Sequence, residues 1–386
     1  MIVGNPNTRL REASVTKFEL NLLARLVSDQ GPVDWTLKTI FITGEQDDEY
    51  DDYWGEHELK AKENLEKAYN PLPEEVPHHY NERASRERRR GFPVAQPTSS
   101  TNAGASIHTG KEIGREQELV ISTDDKTIDG RGARVHIAYG AGISIHFARN
   151  IIIHNLCIHD IVSGDGGMIR DAESHCGVKK ASDGDGISLF GATNVLIDHL
   201  SMYQCFDGLI DVIQGSTAIT ISNCHFTDHN DATVLVASDK YVEDEKMQVT
   251  VALNHFGKGL AQRMPRCRFG FAHVINNHYT HWIMSAISGC SHPTIISLGN
   301  RYRASSDKIT KEVTWRNNAP QEVWKSWDWV SEGDKFVNGA FFTPSGNPNA
   351  NKKFGGDKIL PYEPGRKAPK LSVFSGALEC KPGNPC

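Results

Sequence analysis

The sequence predicts an all-β fold, a parallel β-helix in which each coil takes about 23 residues. Beyond Gly110, short runs rich in Val and Ile recur, each ending in Asn, Gly or His, and helical periodicity is absent. Four of these runs also place an Asn a few residues before an aromatic residue, so the runs repeat with a common register. The four runs read ITISNCHF, VTVALNHF, HVINNHY and ISLGNRY.

One apolar or aromatic position in each run defines the period. Successive positions are 24, 30, 23 and 23 residues apart. An earlier run, IIIHNLCI, ends at Ile158, 44 residues before the first of them, which fits either two coils or one coil with a long insert. The repeated positions are Met202, Phe226, Phe256, Tyr279 and Tyr302.

A repeat of this length is typical of leucine-rich repeats and of parallel β-helices. The consensus leucines and the helical filler of a leucine-rich repeat are missing. An Asn at a constant turn position favours the β-helix, because side-chain amides stacked from coil to coil can hydrogen-bond to one another. Successive coils would then lie about 4.8 Å apart, and residues one period apart would stack.

Residues 1–108 differ from the rest of the chain in composition and are predicted to form a charged N-terminal arm, partly helical and partly disordered. They contain an acidic run, EQDDEYDD, a charged helix-like stretch, HELKAKENLEKAYN, a basic run, RERRR, and the linker-like QPTSSTNAGAS. The basic run fits either a polyanion-binding segment or a flexible charged arm. Residues 109–386 are predicted to form the β-helix, with loops on one side and a loop tail at the C-terminus.

Composition restricts the functional classes. The 386 residues are 38% hydrophobic, enough for a sizeable core, and the formal net charge is -6, which provides no general attraction for nucleic acid. No run of about 18 apolar residues is present, so we expect no membrane span. The start, MIVGNPNTRLREAS, lacks the basic-then-apolar pattern of a secretory signal.

The eight cysteines include no CxxC pair, which argues against a structural zinc site. Cys380 and Cys386 bracket KPGNP and would either close a small disulfide loop or remain free thiols. Cys267 and Cys290 follow their repeated positions at the same offset, so stacking would bring them within disulfide range; the alternative is two reduced core thiols.

Four aspartates are in phase on consecutive coils. Asp207 and Asp211 follow Met202 at odd offsets; Asp183 is one coil before Asp207, and Asp185 follows Asp183 by two positions. If the segments are extended, side chains two apart share a face, so the four carboxylates would crowd onto one patch. Such a patch requires shared protons or a bound cation, and hard oxygen ligands without His or Cys favour Ca²⁺. The alternative is ordinary surface aspartates in glycine turns.

An arginine stands near this patch in the stretch AQRMPRCR. Arg263 follows Phe256 at an odd offset too, one to two coils beyond the aspartates, and Pro265 restricts the backbone beside it. A guanidinium beside a carboxylate-bound metal is placed to hold an anionic substrate. The alternative is that the arginines neutralise nearby aspartates as salt bridges.

These residues resemble the plant pectate lyases, the polysaccharide lyase family that includes pollen allergens. The motifs that carry the resemblance are TIDGRGARV, DGDGISLFG, DGLIDVIQGSTAITISNCHF, QRMPRCRFGF and LECKPGNPC, and the resemblance covers most of the chain from Lys126 onward. It implies a right-handed parallel β-helix and Ca²⁺-dependent β-elimination of de-esterified homogalacturonan. It implies Arg263 as the proton-abstracting residue, and as calcium ligands Asp183, Asp207 and Asp211, with Asp185 as a further candidate.

The resemblance also implies further partners and a location. Arg268, with Arg266 and Lys258, would hold additional uronates of polygalacturonate, and the cell wall would be the location. We expect a monomer that binds neither nucleic acid nor membrane. The N-terminal region is atypical for the family and is expected to be truncated, which leaves open a catalytically impaired β-helix that binds acidic polysaccharide. A hydrolase on the same fold, using paired carboxylates without a metal, is a further alternative.

Overall fold

In the computed structural model, the chain is described over residues 26–28, 31–33, 52–71, 118–131, 134–172, 175–179, 181–236, 238, 240–317, 319–353 and 361–379. Five features of the sequence discussed above lie wholly or almost wholly outside these residues. They are the N-terminal stretch at 1–14, the acidic run at 45–52 apart from Asp52, the basic run at 86–90, the linker-like stretch at 96–106, and the pair Cys380 and Cys386.

Three parallel sheets of eight strands each form the described body of the chain, and each coil contributes one strand to each sheet. Sheet A comprises β3 (Glu118–Ile121), β6 (Gly142–His146), β11 (Ile187–Phe190), β14 (Ile210–Ile213), β18 (Thr233–Leu235), β22 (Arg266–Cys267), β25 (Ile287–Gly289) and β28 (Thr314–Arg316). Sheet B comprises β4 (Lys126–Asp129), β7 (Arg149–His154), β12 (Thr193–Asp198), β15 (Thr217–Ser222), β19 (Gln248–Ala252), β23 (Phe271–Ile275), β26 (Thr294–Leu298) and β29 (Trp329–Glu332). Sheet C comprises β5 (His136–Ala138), β8 (Cys157–His159), β13 (Ser201–Tyr203), β16 (His225–Thr227), β20 (His255–Phe256), β24 (His278–Tyr279), β27 (Arg301–Arg303) and β30 (Lys335–Val337).

The remaining strands and helices lie outside the three eight-stranded sheets. An antiparallel pair joins β9 (Gly167–Ala172) to β10 (His175–Lys179), a short parallel pair joins β17 (His229–Asp231) to β21 (Leu260–Gln262), and β1 (Leu26–Ser28) pairs with β2 (Gly31–Val33). The helices are α1 (Asp52–Ala68), α2 (Gln321–Trp324), α3 (Ala350–Lys353) and α4 (Ala368–Leu371), with short 3-10 turns at Val242–Lys246 and Gly365–Lys367.

The predicted β-helix and its predicted register are confirmed. Met202 pairs with Phe226, and the pairing continues through Phe256, Tyr279 and Tyr302 on successive strands of sheet C. The aromatic rings stack inside the helix with centroids 5.2, 4.6 and 4.5 Å apart from Phe226 to Tyr302. All four aromatics are buried, so the repeat seen in the sequence is the inner face of one sheet.

The long step before Met202 is one coil with an insert. Ile158 pairs directly with Met202 on the neighbouring strand, so no coil lies between them. The additional residues include the β9–β10 hairpin, which leaves the helix and returns to it. The body of the helix therefore keeps its register while one loop absorbs the extra length.

The predicted ladder of asparagine side chains is present at the turn between sheets B and C. The Oδ1 atoms of Asn254, Asn277 and Asn300 accept hydrogen bonds from the backbone N–H of the preceding coil at 2.8, 2.9 and 2.7 Å. Their Nδ2 atoms donate to buried carbonyls at 2.9, 2.8 and 2.8 Å. The ladder ends on Asp334, whose Oδ1 accepts from the N–H of Asn300 at 2.6 Å. Each buried turn is thereby satisfied by the next coil.

The helix predicted from HELKAKENLEKAYN is α1, and it packs on the turn that follows sheet A. Its apolar face buries Trp54, Ala61 and Leu65, and Trp54 contacts Phe147. Lys60 forms an ion pair with Asp124 at 3.0 Å. The helix therefore belongs to the folded body. Neither α1 nor any other described helix has the length and apolarity needed to cross a bilayer.

Residues of sheet A do not all pair with residues at the same distance from the repeated position of the next coil. Equal distances would pair Cys267 with Cys290, but Cys267 pairs with Gly289. Cys290 therefore lies one position beyond the stacking position, and both Cys267 and Cys290 are free thiols. The disulfide alternative is wrong, and the alternative of two reduced buried thiols is the one observed.

The asparagine ladder predicts a large stability effect at its centre. Asn277→Ala should lower the free energy of unfolding by about 2–4 kcal/mol, because it leaves the N–H of Asn254 and the carbonyl of Val251 buried without their partners. Urea denaturation followed by circular dichroism measures this loss. The exposed Asn349→Ala is the matched control and should change the midpoint little. Equal midpoints for the two variants would contradict a stabilising role for the ladder.

Candidate active site

The outer face of sheet A brings acidic and basic side chains into one row. Asp211 on β14 pairs with Ser188 on β11 and with Val234 on β18, and Val234 pairs with Arg266 on β22. The neighbours of Asp211 along its strand, Ile210 and Val212, are buried in the core. Asp211 therefore points outward from the sheet, with a guanidinium-bearing residue two coils away in the same row.

Asp185 and Asp211 meet around Gly208. The N–H of Gly208 donates to Asp185 Oδ1 at 2.7 Å, and Ser188 Oγ donates to Asp185 Oδ2 at 2.8 Å. A Cβ at Gly208 would lie 2.4 Å from Asp211 Oδ1 and 3.1 Å from Asp185 Oδ1. Only glycine leaves room for both carboxylates at this turn.

Crowding of like charges dominates the electrostatics of this patch. Burial raises the pKa of Asp185 to about 7, and the charges of Asp207 and Asp183 add to the shift against the hydrogen bonds from Ser188 and Gly208. Burial, with the charges of Asp185 and Asp207, raises the pKa of Asp211 well above its ordinary value. Asp211 Oδ1 is buried without a hydrogen-bond partner among the described residues, so no donor from these residues offsets the repulsion at this oxygen.

Asp183 and Asp207 lie at the open side of the patch, and both are exposed. Burial and the charge of Asp207 raise the pKa of Asp183, which shows that the two carboxylates sense each other. A hydrogen bond from His229 Nε2 to the carbonyl oxygen of Asp207 fixes the loop that carries it. The structure thus brings together the four aspartates that the sequence analysis grouped, with two half-buried and two at the mouth.

Arg263 lies beside the patch and forms an ion pair with Asp231, a contact of the kind that the salt-bridge alternative expected, although the sequence did not identify the partner. Its Nε is 3.2 Å from Asp231 Oδ1, with 24% of the arginine and 14% of the aspartate side chain exposed. The strand pair β17–β21 sets this contact, because Asp231 pairs with Gln262 immediately before the arginine. The positive charge of Arg263 also acts on Asp211, so the guanidinium is within electrostatic reach of that acid.

The backbone at Arg263 is held in an unusual conformation. Its φ is 58°, in the left-handed region that non-glycine residues rarely adopt, and the peptide bond between Met264 and Pro265 is cis. The N–H of Thr233 donates to the carbonyl of Arg263 at 2.7 Å. The same left-handed φ recurs at other turn residues of the β-helix, such as Asn223 and Asn276, so it does not by itself mark a functional site.

The three predicted substrate-binding residues occupy different places. Arg266 shares the row of Asp211, and its Nη2 lies 3.6 Å from Cys290 Sγ. Arg268 follows β22, with its N–H donating to the carbonyl of Leu235 at 3.0 Å. Lys258 is exposed in the loop between β20 and β21. Arg266 and Arg268 extend the positive charge along sheet A, whereas Lys258 is at the sheet C corner.

The acid patch is open rather than a closed metal cage. Within the described residues, the only group of three or more His, Cys, Asp or Glu with ligand atoms mutually within 4.8 Å is His154, Asp198 and His199, none of which belongs to the patch. The patch nevertheless fits a hard divalent cation, because it offers carboxylate oxygens alone and one of them, Asp211 Oδ1, has no partner among the described residues.

Comparison with known proteins identifies the family of this fold and site. Residues 97–322, more than half of the chain, match the family model described as pectate lyase, and residues 48–101, which include α1, match the model described as the pectate lyase N terminus. The major cedar pollen allergen jun a 1 superposes with a TM-score of 0.65 at 41% identity, over 68% of this chain and 76% of the allergen.

Plant relatives are more similar still in sequence. A pectate lyase of Lilium longiflorum is 58% identical over 271 residues, covering 70% of this chain and 62% of the relative. A pectate lyase of Nicotiana tabacum is 52% identical over 277 residues, covering 71% of this chain and 70% of the relative. The chain thus spans less than two thirds of the length of the lily relative. By the family model, these identities and the shared β-helix, the chain belongs to the pectate lyase family.

Proposed function

We propose that this chain is a Ca²⁺-dependent pectate lyase that cleaves the (1→4)-α-D-galacturonan of de-esterified pectin by β-elimination. The observation that carries the proposal is the buried Asp211 oxygen on sheet A, which has no hydrogen-bond partner among the described residues, within electrostatic reach of the Arg263 guanidinium just before β22. Membership of the pectate lyase family supports the same reaction.

The reaction defines what the site has to do. A base removes the C5 proton, alpha to the uronate carboxylate; the electrons of that C–H bond form the C4–C5 double bond, and the bond to O4 breaks. The leaving O4 then takes up a proton. Negative charge grows on the uronate carboxylate during proton removal, so cationic groups around that carboxylate lower the barrier.

Asp183, Asp185, Asp207 and Asp211 would hold the calcium ion, which when bound supplies Lewis-acid stabilisation of the uronate carboxylate. Arg263 is the proposed base. The charge of Arg263 acts on Asp211, so its guanidinium lies within electrostatic reach of the carboxylates that would hold the ion.

The other residues would bind and position the chain of uronates. Arg266 and Arg268, on and just after β22, offer charge-assisted hydrogen bonds to carboxylates on either side of the cleaved bond. Lys258 would contact a more distant uronate. Asp231 would be a positioning residue, since its Oδ1 lies 3.2 Å from Arg263 Nε and the ion pair restrains the guanidinium.

The substrate implies the setting. De-esterified pectin is a cell-wall polymer, so we infer an extracellular, cell-wall location, in keeping with the plant origin of the lily and tobacco relatives. The uronate chain needs a single extended groove on one protomer, and we expect the protein to act as a monomer.

Removing the proposed base tests the reaction. Arg263→Ala should lower kcat on polygalacturonate by about 10²–10⁴-fold, because general-base catalysis contributes that much. The assay follows the ultraviolet absorbance of the unsaturated product with excess Ca²⁺, and chelation should abolish the signal of the unmodified protein. Arg303→Ala, an exposed arginine on sheet C, is the control. An inactive unmodified chain that still binds polygalacturonate would replace the proposal with that of a binding protein.

Asp211→Asn tests the cation site through stability. Without divalent ions the variant should melt at a higher temperature than the unmodified protein, because it removes a carboxylate repelled by its neighbours. With Ca²⁺ at about 100 times its Kd, the unmodified protein should gain about 2.7 kcal/mol and the variant should not, so the order reverses. The exposed Asp307→Asn serves as the control. An equal Ca²⁺ shift in Asp211→Asn and the unmodified protein would remove Asp211 from the site.

Two variants of Asp231 test whether this side chain acts by positioning Arg263 or through its own negative charge. Asp231→Ala should lower kcat by about 10–100-fold with KM nearly unchanged, since a misplaced catalytic group loses that much while Arg266 and Arg268 remain. Asp231→Asn, which keeps an oxygen near Arg263 Nε, should recover part of the loss. Steady-state kinetics on polygalacturonate measures both. A rise in KM at constant kcat would instead make Asp231 a determinant of substrate binding.

A further inference from the structure

A second polar cluster lies on sheet B, apart from the aspartates of sheet A. His154 ends β7, Asp198 ends β12 on the next coil, and His199 follows immediately. His154 Nδ1 is 2.9 Å and His199 Nδ1 is 2.7 Å from the same oxygen, Asp198 Oδ2. The exposed fractions of the side chains of His154, Asp198 and His199 are 17%, 16% and 19%. The cluster is therefore mostly enclosed, but small ions in solvent can reach it.

The other oxygen of Asp198 is fixed by separate donors. Ser222 Oγ and Asn223 Nδ2, from the following coil, donate to Asp198 Oδ1 at 2.6 and 2.9 Å. Although burial opposes it, these bonds and those from the two histidines lower the pKa of Asp198 far below its usual value. With Oδ1 occupied by these donors, the carboxylate presents its other oxygen, Oδ2, to two imidazoles.

We propose that His154, Asp198 and His199 form a binding site for a borderline divalent transition metal ion of the Zn²⁺ class. Two imidazole nitrogens and one carboxylate oxygen are a donor set that such ions prefer and that Ca²⁺ does not. One ligand atom from each residue already lies within 4.8 Å of the others. Three protein ligands leave the fourth tetrahedral position to water.

The geometry requires only a small adjustment. Ligands about 2.0–2.1 Å from a tetrahedral ion are about 3.3 Å apart, so the two nitrogen–oxygen separations would widen by about half an ångström. For Nδ1 to bind the ion, each imidazole would carry its proton on Nε2. Asp129, which pairs in register with His154, is held by Arg131 through bonds of 3.0, 2.9 and 2.6 Å. With Arg131 paired in this way, the surroundings of the site keep a net negative charge.

Metal binding here would join two coils. His154 belongs to one coil and Asp198 with His199 to the next, so one ion would replace the hydrogen bond between the coils, and the one between Asp198 and His199, with coordinate bonds. Binding to the folded chain alone raises its stability by mass action. The site is independent of the proposed lyase chemistry, and its test does not require activity.

Titration of the full chain with Co²⁺ tests the proposal. In buffer with excess Ca²⁺, which occupies hard oxygen sites, we expect one Co²⁺ per chain with visible d–d absorption, displaced by Zn²⁺. His154→Gln and His199→Gln should bind at least about tenfold more weakly, whereas the exposed His292→Gln should bind normally. His199→Cys, which replaces one ligand with another, should add a sulfur-to-cobalt charge-transfer band.

Two outcomes would overturn the site. The first is an unmodified chain that takes up no Co²⁺ or Zn²⁺ while its circular dichroism shows the folded β-helix. The second is binding by the folded His154→Gln and His199→Gln variants as tight as that of the unmodified chain, with no charge-transfer band in His199→Cys. Circular dichroism of each variant separates loss of ligand from loss of fold.

Discussion

Coil-to-coil registration is the constraint on which the rest of the molecule depends. The inner aromatic stack and the asparagine ladder fix each coil on the next through contacts that recur once per turn. Because the ladder satisfies the buried polar groups of one turn from the adjacent coil, the stack tolerates little slippage. Loops that leave the stack, such as the β9–β10 hairpin, can then vary in length without disturbing the residues on either side.

Registration also explains why charges of one sign can be crowded on sheet A. Asp185 and Asp211 come from adjacent coils, and their positions are fixed by strand pairing and by the space at Gly208 rather than by mutual attraction. A single carboxylate on a loop would move away from its neighbour or take up a proton. Here the rigid stack prevents the carboxylates from moving apart, so the crowding raises the pKa of Asp185 and Asp211, and a divalent cation would relieve it.

The sequence predicted those parts of the structure that repeat. The stacked positions from Met202 to Tyr302, the ladder through Asn277 and the grouping of the acidic residues all follow from counting residues between similar segments. Counting residues from the repeated position misplaced side chains where coils differ in the number of residues between their sheet C strand and the next strand of sheet A. Asp211, Val234 and Arg266 lie in one paired row, although each follows the repeated position of its own coil at a different distance. The contact of Arg263 with Asp231 depends on those differences, so phase alone could not identify it.

The two clusters show why an aspartate in the sequence does not reveal its chemistry. Asp198 and Asp211 each point outward from the helix, and each is half-buried. Asp198 receives donors on both oxygens, including two imidazoles, and is satisfied without a metal, so a transition ion there would replace protons that already bridge the group. Asp211 Oδ1 receives none from the described residues, and burial with the charges of Asp185 and Asp207 raises the pKa of this acid well above its ordinary value. The donors that the neighbouring coils supply therefore decide whether an aspartate is stabilised as an anion or crowded by like charge, and those donors are known only once the coils are in register.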